Sequence, residues 1–180
     1  MYIKDKKFDL FLDSNSVDDI INQVAIKLKK QIIISKQPVI LLVVLKGATT
    51  FAVKLTEKLY DVDLEIEYIR LSSYEGTQSS LNIINVLGLS RDISERDVII
   101  IEDIVETGLT MNYLKYYLTN DKKANSVKIC SLFTRPKNYK YNVVVDFVGM
   151  ELNNDEFIIG CGLDYDELGR NLNEIYKLTN

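Results

Sequence analysis

A chain of 180 residues with 47% apolar side chains is long enough for one core and is expected to form a single domain over residues 1–180. Its formal charge of −4, with both signs spread along the chain, argues against a nonspecific grip on nucleic acid. Histidine is absent, which excludes a Ser-His-Asp triad, a Cys-His pair and any histidine metal site, and leaves acid–base chemistry and metal ligation mainly to Asp, Glu, Lys and Tyr.

The first ten residues, MYIKDKKFDL, are too charged for a signal peptide, and no apolar run is long enough to span a membrane, so a cytoplasmic protein is expected. Ser16 reads as a helix N-cap with Asp18 and Asp19 in the first turn, and Val17, Ile20, Ile21, Val24, Ala25 and Leu28 follow at helical spacing. Pro38 precedes VILLVVL, apolar at every position, as in a strand of a parallel sheet buried on both faces. Residues 50–60 predict a helix, 64–70 a strand, 71–82 a long polar loop and 82–88 a strand. DVIIIED (97–103) is a second buried strand, 111–119 a helix, and 126–133, 143–149 and 157–164 further strands, with a short helix closing the chain. Apolar strands alternating with helices predict an α/β fold, a doubly wound and mainly parallel sheet with helices on both faces. Cys130 and Cys161 make neither a disulfide framework nor a zinc motif and read as small buried residues.

In such sheets ligands bind at the carboxyl ends of the strands. There DVIIIEDIVETGLTM sets Glu102 and Asp103 at a strand end. Two adjacent carboxylates can accept both hydroxyls of a ribose, or help hold magnesium, a hard cation that prefers oxygen. Glu106, Thr107, Gly108, Leu109 and Thr110 then make a short loop into a helix, where unpaired N–H groups and hydroxyls suit a phosphate. Helix capping would explain one threonine, but not a loop that follows directly on an acidic pair. No G-x-x-x-x-G-K-[ST] occurs, and Gly160-Cys161-Gly162 lacks the third glycine of a dinucleotide fingerprint.

IIIEDIVETGLT resembles the phosphoribosyl pyrophosphate signature of type I phosphoribosyltransferases. Leu45-Lys46-Gly47, Ser72-Ser73-Tyr74, Asp146-Phe147-Val148-Gly149, Asp155-Glu156-Phe157, Gly162-Leu163-Asp164-Tyr165 and Arg170-Asn171-Leu172 are similar, in order and spacing, to the hypoxanthine-guanine branch. The resemblance covers nearly the whole chain. It implies a small hood built from the chain termini, and an enzyme that moves a phosphoribosyl group from phosphoribosyl pyrophosphate to hypoxanthine or guanine with release of pyrophosphate. It also implies a homodimer or homotetramer that binds neither nucleic acid nor membrane.

The resemblance further implies that Glu102 and Asp103 hold the ribose and its magnesium ion, that residues 106–110 cradle the 5′-phosphate, and that Lys46, Gly47 and Arg170 face pyrophosphate. Asp164 serves a second magnesium, Phe157 stacks on the purine, the Ile158 backbone meets its edge, and Ser73 and Tyr74 belong to a lid. The Leu45–Lys46 bond is implied to be cis. Taken singly, Phe157 reads as core, Lys46 as a solvated strand-end lysine, Tyr74 as a loop residue, and Arg170 as a surface partner of Asp166 or Glu167.

This chain departs from the family where the purine is expected. Glu106 stands where an aspartate is usual as general base, and Arg135 where a lysine usually contacts the purine 6-oxygen. In the lid, Glu75 replaces a common glycine and Leu81-Asn82 a small, basic-leaning pair. Three readings follow: an active purine phosphoribosyltransferase with a rearranged base pocket, which is preferred; a diverged relative with another base preference; and a non-enzymatic nucleotide sensor or RNA-binding regulator. Because both departures lengthen charged side chains, Glu106 and Arg135 are expected to share one pocket and to pair when no base is bound.

Overall fold

The computed structural model describes residues 1–73, 84–89, 91–153 and 155–179. Helix α1 (Ser14–Ile33) starts one turn earlier than the sequence predicts: Asp13, in extended backbone, accepts a 2.8 Å hydrogen bond from the Ser16 N–H, so Ser16 lies inside the helix. Residues 13–16 are all good capping types, and composition alone does not choose among them. Val17, Ile21, Val24, Ala25, Leu28 and Ile32 then form its buried stripe.

Strand β3 (Val39–Leu45) is the centre of the main sheet, after a short β1 (Tyr2–Ile3) and β2 (Lys6–Leu12) at the chain start. It pairs in parallel with β4 (Leu64–Ser73) on one side and β6 (Asp97–Val105) on the other. β6 is followed in parallel by β7 (Ser126–Thr134) and β8 (Phe147–Glu151), while β5 (Ile84–Leu87) adds an antiparallel edge to β4. The order is β5-β4-β3-β6-β7-β8. Helix α2 (Ala48–Glu57) and α1 pack on one face, over Leu41, Val43, Ile99 and Ile101. Helix α3 (Leu109–Tyr116) covers the other, over Ile40, Leu42, Ile100 and Ile129. The α/β class and the two-sided cover are as the apolar runs predict, because a strand apolar at every position needs a layer on each face.

A second sheet, in the order β1-β2-β10-β9, is the hood. Strand β9 (Ile158–Ile159) is far shorter than the predicted strand 157–164, since Gly160, Cys161 and Gly162 follow it at φ 107°, 48° and 102° and turn the chain away. Strand β10 (Ile175–Leu178) replaces the expected terminal helix: it pairs with both β2 and β9 and buries Ile175. Partners elsewhere in the chain, β2 above all, override local preference there. The strand predicted over 143–149 begins at Phe147, and the strand predicted over 64–70 runs on to Ser73, so residues 71–73 are not part of the predicted loop. Glu75, Leu81 and Asn82 of that loop lie outside the described residues. Both cysteines are buried; burial pushes the Cys161 thiol up to about 11 and Cys130 higher still. Among the described residues no helix is long and apolar enough to cross a membrane.

Candidate active site

Strands β3, β6 and β7 end on the same side of the sheet, and the loops that leave them carry the polar side chains. At the end of β6, successive residues point to opposite faces. Glu102 lines a cavity of about 220 Å³ together with residues 104–111, while the carboxylate of Asp103 lies against Gly47 after β3. A Cβ on Gly47 would stand 1.9 Å from Asp103 Oδ2, so only glycine leaves that carboxylate its place. Asp103 Oδ1 accepts from the Ile104 N–H at 2.9 Å, and Glu102 Oε1 from the Asp103 N–H at 3.1 Å. Burial, and next the charge of Asp103, push the Glu102 carboxyl well above the usual carboxylate range.

The loop after β6 turns at Gly108, whose φ of 81° gives the helix its left-handed entry. Thr107 Oγ1 accepts weakly from the Leu109 N–H at 3.4 Å, and Thr110 lies in the first turn of α3. The cavity opens directly on these amides and hydroxyls.

The base side is built from β7 and the hood. Arg135, at the end of β7, is only 6% exposed. Its Nη1 lies 3.2 Å from Glu106 Oε1, Nη2 donates to the Glu156 carbonyl, and Nε is buried without an acceptor among the described residues. The expected pairing of Glu106 with Arg135 is therefore present. Next to Glu156, Phe157 leaves 44% of its surface exposed and packs its other side on Phe8 and Tyr165, with ring centroids 6.4 and 6.0 Å away. An exposed ring with an aromatic backing is a flat shelf suited to a planar ligand. Ile158 is buried beneath it, in β9.

The anion side joins the two sheets. The Leu45–Lys46 bond is cis. A Cβ on Gly162 would meet the Gly47 carbonyl at 1.9 Å, so the hood turn rests directly on the loop after β3. Arg170 donates to the Gly162 carbonyl at 2.8 Å and pairs with Asp164 Oδ1 at 2.7 Å. Lys46 Nζ reaches Glu167 Oε2 at 2.9 Å, and Arg170 Nη2 lies 3.5 Å from the same oxygen.

Lys46, Gly47, Glu102, Asp103, Glu106–Thr110, Arg135, Phe157, Ile158, Asp164 and Arg170 are thus joined by a continuous series of contacts. Ser73 ends β4, and Tyr74 lies outside the described residues. Two contacts escape a sequence reading. The Glu156 carbonyl is a backbone group, invisible in side-chain chemistry. Glu167, expected as a surface partner of Arg170 and found as one, also pairs with Lys46, which no local spacing signals. Among the described residues no group of three or more acids, cysteines or histidines is gathered for a metal. The oxygen-only pair Glu102/Asp103 nevertheless fits a cation such as magnesium, which takes one or two carboxylates and completes its shell with water and ligand phosphate. Asp164 fits less directly, because its two oxygens are engaged by Arg170 and by the Glu167 N–H.

Residues 11–166 match the model of the phosphoribosyl transferase domain, and the chain belongs to that family. It is 34% identical to the hypoxanthine-guanine phosphoribosyltransferase of Aquifex aeolicus over 98% of this chain and 97% of the relative. It is 39% identical to the enzyme of that name from Mycobacterium tuberculosis over 79% of this chain and 69% of the relative. Among solved structures, a hypoxanthine phosphoribosyl transferase of Trypanosoma cruzi superposes with a TM-score of 0.86 at 28% identity, covering 99% of this chain and 95% of that one. These relatives place the chain in the hypoxanthine-guanine branch.

Proposed function

We propose that this chain, as one phosphoribosyltransferase domain, transfers the phosphoribosyl group of phosphoribosyl pyrophosphate to hypoxanthine or guanine and releases pyrophosphate, in purine salvage. The observation that carries the reading is the continuous series of contacts from the phosphate loop at 106–110, through the acidic pair and Gly47, to Lys46 and Arg170. Such a series sets a loop of amides and hydroxyls, a pair of carboxylates and two cations side by side, the groups that a phosphate, a ribose and a diphosphate would call for.

As pyrophosphate leaves, positive charge grows on the ribose and negative charge on the leaving group, so positioning and electrostatics supply the catalysis. In this reading the amides and hydroxyls of 107–110 fix the 5′-phosphate, and Glu102 and Asp103 fix the ribose hydroxyls. Lys46 and Arg170 receive the departing charge, with the Gly47 amide beside them. Phe157 supports the purine, the Ile158 backbone meets its edge, Arg135 faces its 6-oxygen, and Glu106 accepts the ring proton. Glu102 and Asp103 would hold one magnesium ion and Asp164 a second, and the metal would supply charge neutralisation for the diphosphate. A cytoplasmic homodimer or homotetramer belongs to the same proposal.

The test is to incubate the protein with phosphoribosyl pyrophosphate, magnesium and one base at a time from hypoxanthine, guanine, xanthine and adenine, and to separate the products. Nucleotide from hypoxanthine or guanine, lost on chelation, is the expected result. No nucleotide from any base overturns the proposal.

A further inference from the structure

The two cations assigned above to pyrophosphate already share an anion. Oε2 of Glu167 lies 2.9 Å from Lys46 Nζ and 3.5 Å from Arg170 Nη2. Lys46 comes from the loop after β3 and Arg170 from the hood, so this single oxygen spans the junction of the two sheets. Its carboxyl is held below the usual range, first by the Lys46 hydrogen bond and charge, with Arg170 adding to it.

The backbone beneath it is built for the purpose. Tyr165 and Leu168 exchange hydrogen bonds of 2.9 and 3.1 Å and close a four-residue turn. The two central residues, Asp166 and Glu167, have φ of 51° and 66°. Positive φ at both centres suits Gly, Asn and Asp better than glutamate. The surroundings impose it: the Glu167 N–H donates to Asp164 Oδ2 at 2.8 Å, and Asp166 pairs with Lys4. A residue that an unfavourable turn points at two cations is placed there by the fold, unlike a surface acid that meets a lysine by chance.

We infer that Glu167 is an internal stand-in for the diphosphate, a carboxylate that occupies the Lys46–Arg170 pair in the empty site and is displaced when pyrophosphate or phosphoribosyl pyrophosphate binds. The inference rests on the reading of Lys46 and Arg170 as pyrophosphate-binding. Between turnovers Glu167 keeps the two like charges positioned and neutralised. In the product complex it competes for them, and so speeds release of pyrophosphate. Exposed ion pairs are individually weak, so the competition amounts to a factor of roughly three to ten.

The direction of the effect separates this role from a structural one. Removing a residue that merely shapes the site weakens ligand binding; removing a competitor strengthens it. The probe is inorganic pyrophosphate with magnesium, titrated calorimetrically into the wild-type chain, Glu167→Gln, Lys46→Gln and the double variant, with melting temperatures recorded for all four. Glu167→Gln is expected to bind pyrophosphate roughly three- to tenfold more tightly, and Lys46→Gln more weakly. In the double variant the gain from Glu167→Gln should shrink, because one of the contested cations is gone. If Lys46→Gln weakens binding but Glu167→Gln leaves it unchanged or weaker, the stand-in is overturned and the functional reading stands. If wild type and Lys46→Gln both fail to bind pyrophosphate, the functional reading falls and takes the inference with it.

Discussion

Nη1 of Arg135 lies 3.2 Å from Oε1 of Glu106, and the two partners differ sharply in exposure: the arginine side chain is 7% exposed and the glutamate 51%. The buried member is also fixed by the Glu156 carbonyl, so the exposed member is the one that moves. In the proposed function both groups approach neighbouring edges of one purine. Activity on hypoxanthine and guanine should then be lower than the rest of the site suggests, because the pair must open to admit a base. Glu106→Asp combined with Arg135→Lys should raise kcat/KM for hypoxanthine by more than the single changes predict together, with a coupling of roughly 0.5–3 kcal/mol. Kinetics on the four proteins measure it, and strictly additive effects would dismiss the coupling.

Thr110 tests the phosphate cradle. Thr110→Val keeps shape and removes a hydroxyl at the start of α3. A hydrogen bond to a charged group contributes about 1.5–3 kcal/mol, so the affinity for a purine nucleoside monophosphate should fall roughly 10- to 150-fold. Titration with the monophosphate reads the loss directly; an unchanged dissociation constant would count against the cradle.

Two glycines at the junction of the sheets should respond differently to alanine. At Gly47 the new Cβ meets only the side chain of Asp103, and the backbone is ordinary, with φ of −58°. Gly47→Ala should displace that carboxylate and cut kcat/KM for phosphoribosyl pyrophosphate by at least about tenfold, while the fold survives. At Gly162 the Cβ meets a backbone carbonyl at 1.9 Å, and φ is 102°. Gly162→Ala should cost roughly 3 kcal/mol or more, which at about 2–4 °C per kcal/mol is a fall in Tm of at least ~6 °C. Calorimetry and kinetics on the same two variants separate the outcomes, and equal losses of Tm would refute the distinction.

Asp97 links stability to pH. It accepts from the Ser126 hydroxyl at 2.6 Å and from the Asn125 amide at 2.7 Å, and these bonds, the Ser126 one foremost, hold its carboxyl below the usual range. With the folded-state pKa below the unfolded one, the stabilisation is complete above the unfolded value of about 4 and fades as pH falls through the folded value. Asp97→Asn should therefore lose roughly 1 kcal/mol at pH 7, a figure kept low because the site is partly solvated. The gap to wild type should close as the pH drops below about 4. Urea unfolding at pH 7 and pH 3 checks it, and a constant gap would contradict the assignment.

The elements that sequence makes plain are those whose residues answer one demand. VILLVVL and VIII are apolar at every position because both faces are covered, and that pattern points to a buried parallel strand. The acids and loop after VIII are legible for a similar reason, as a dense set of oxygen donors and turn residues follows a strand without a break. Where several residues satisfy the same demand, the sequence is silent: any of residues 13–16 could cap α1. Where the demand comes from a distant partner, it misleads, and β10 is a strand because β2 and β9 flank it. Glu167 is legible as a partner of Arg170, three positions away, but not as a partner of Lys46, which lies 121 positions away.

The hood takes one strand pair from the start of the chain and its closing strand from the end: β10 lies between β2 and β9, and the Thr179 N–H donates to the Lys7 carbonyl at 2.8 Å. A ribosome delivers β10 after every other strand of either sheet. The parallel sheet, the acidic pair and the phosphate loop can therefore assemble on a nascent chain while the ring of Phe157 still lacks its neighbouring strand. Until β10 pairs with it, β9 and its Ile158 have no strand neighbour in the hood. Residues 175–178 then tie β9 to β2.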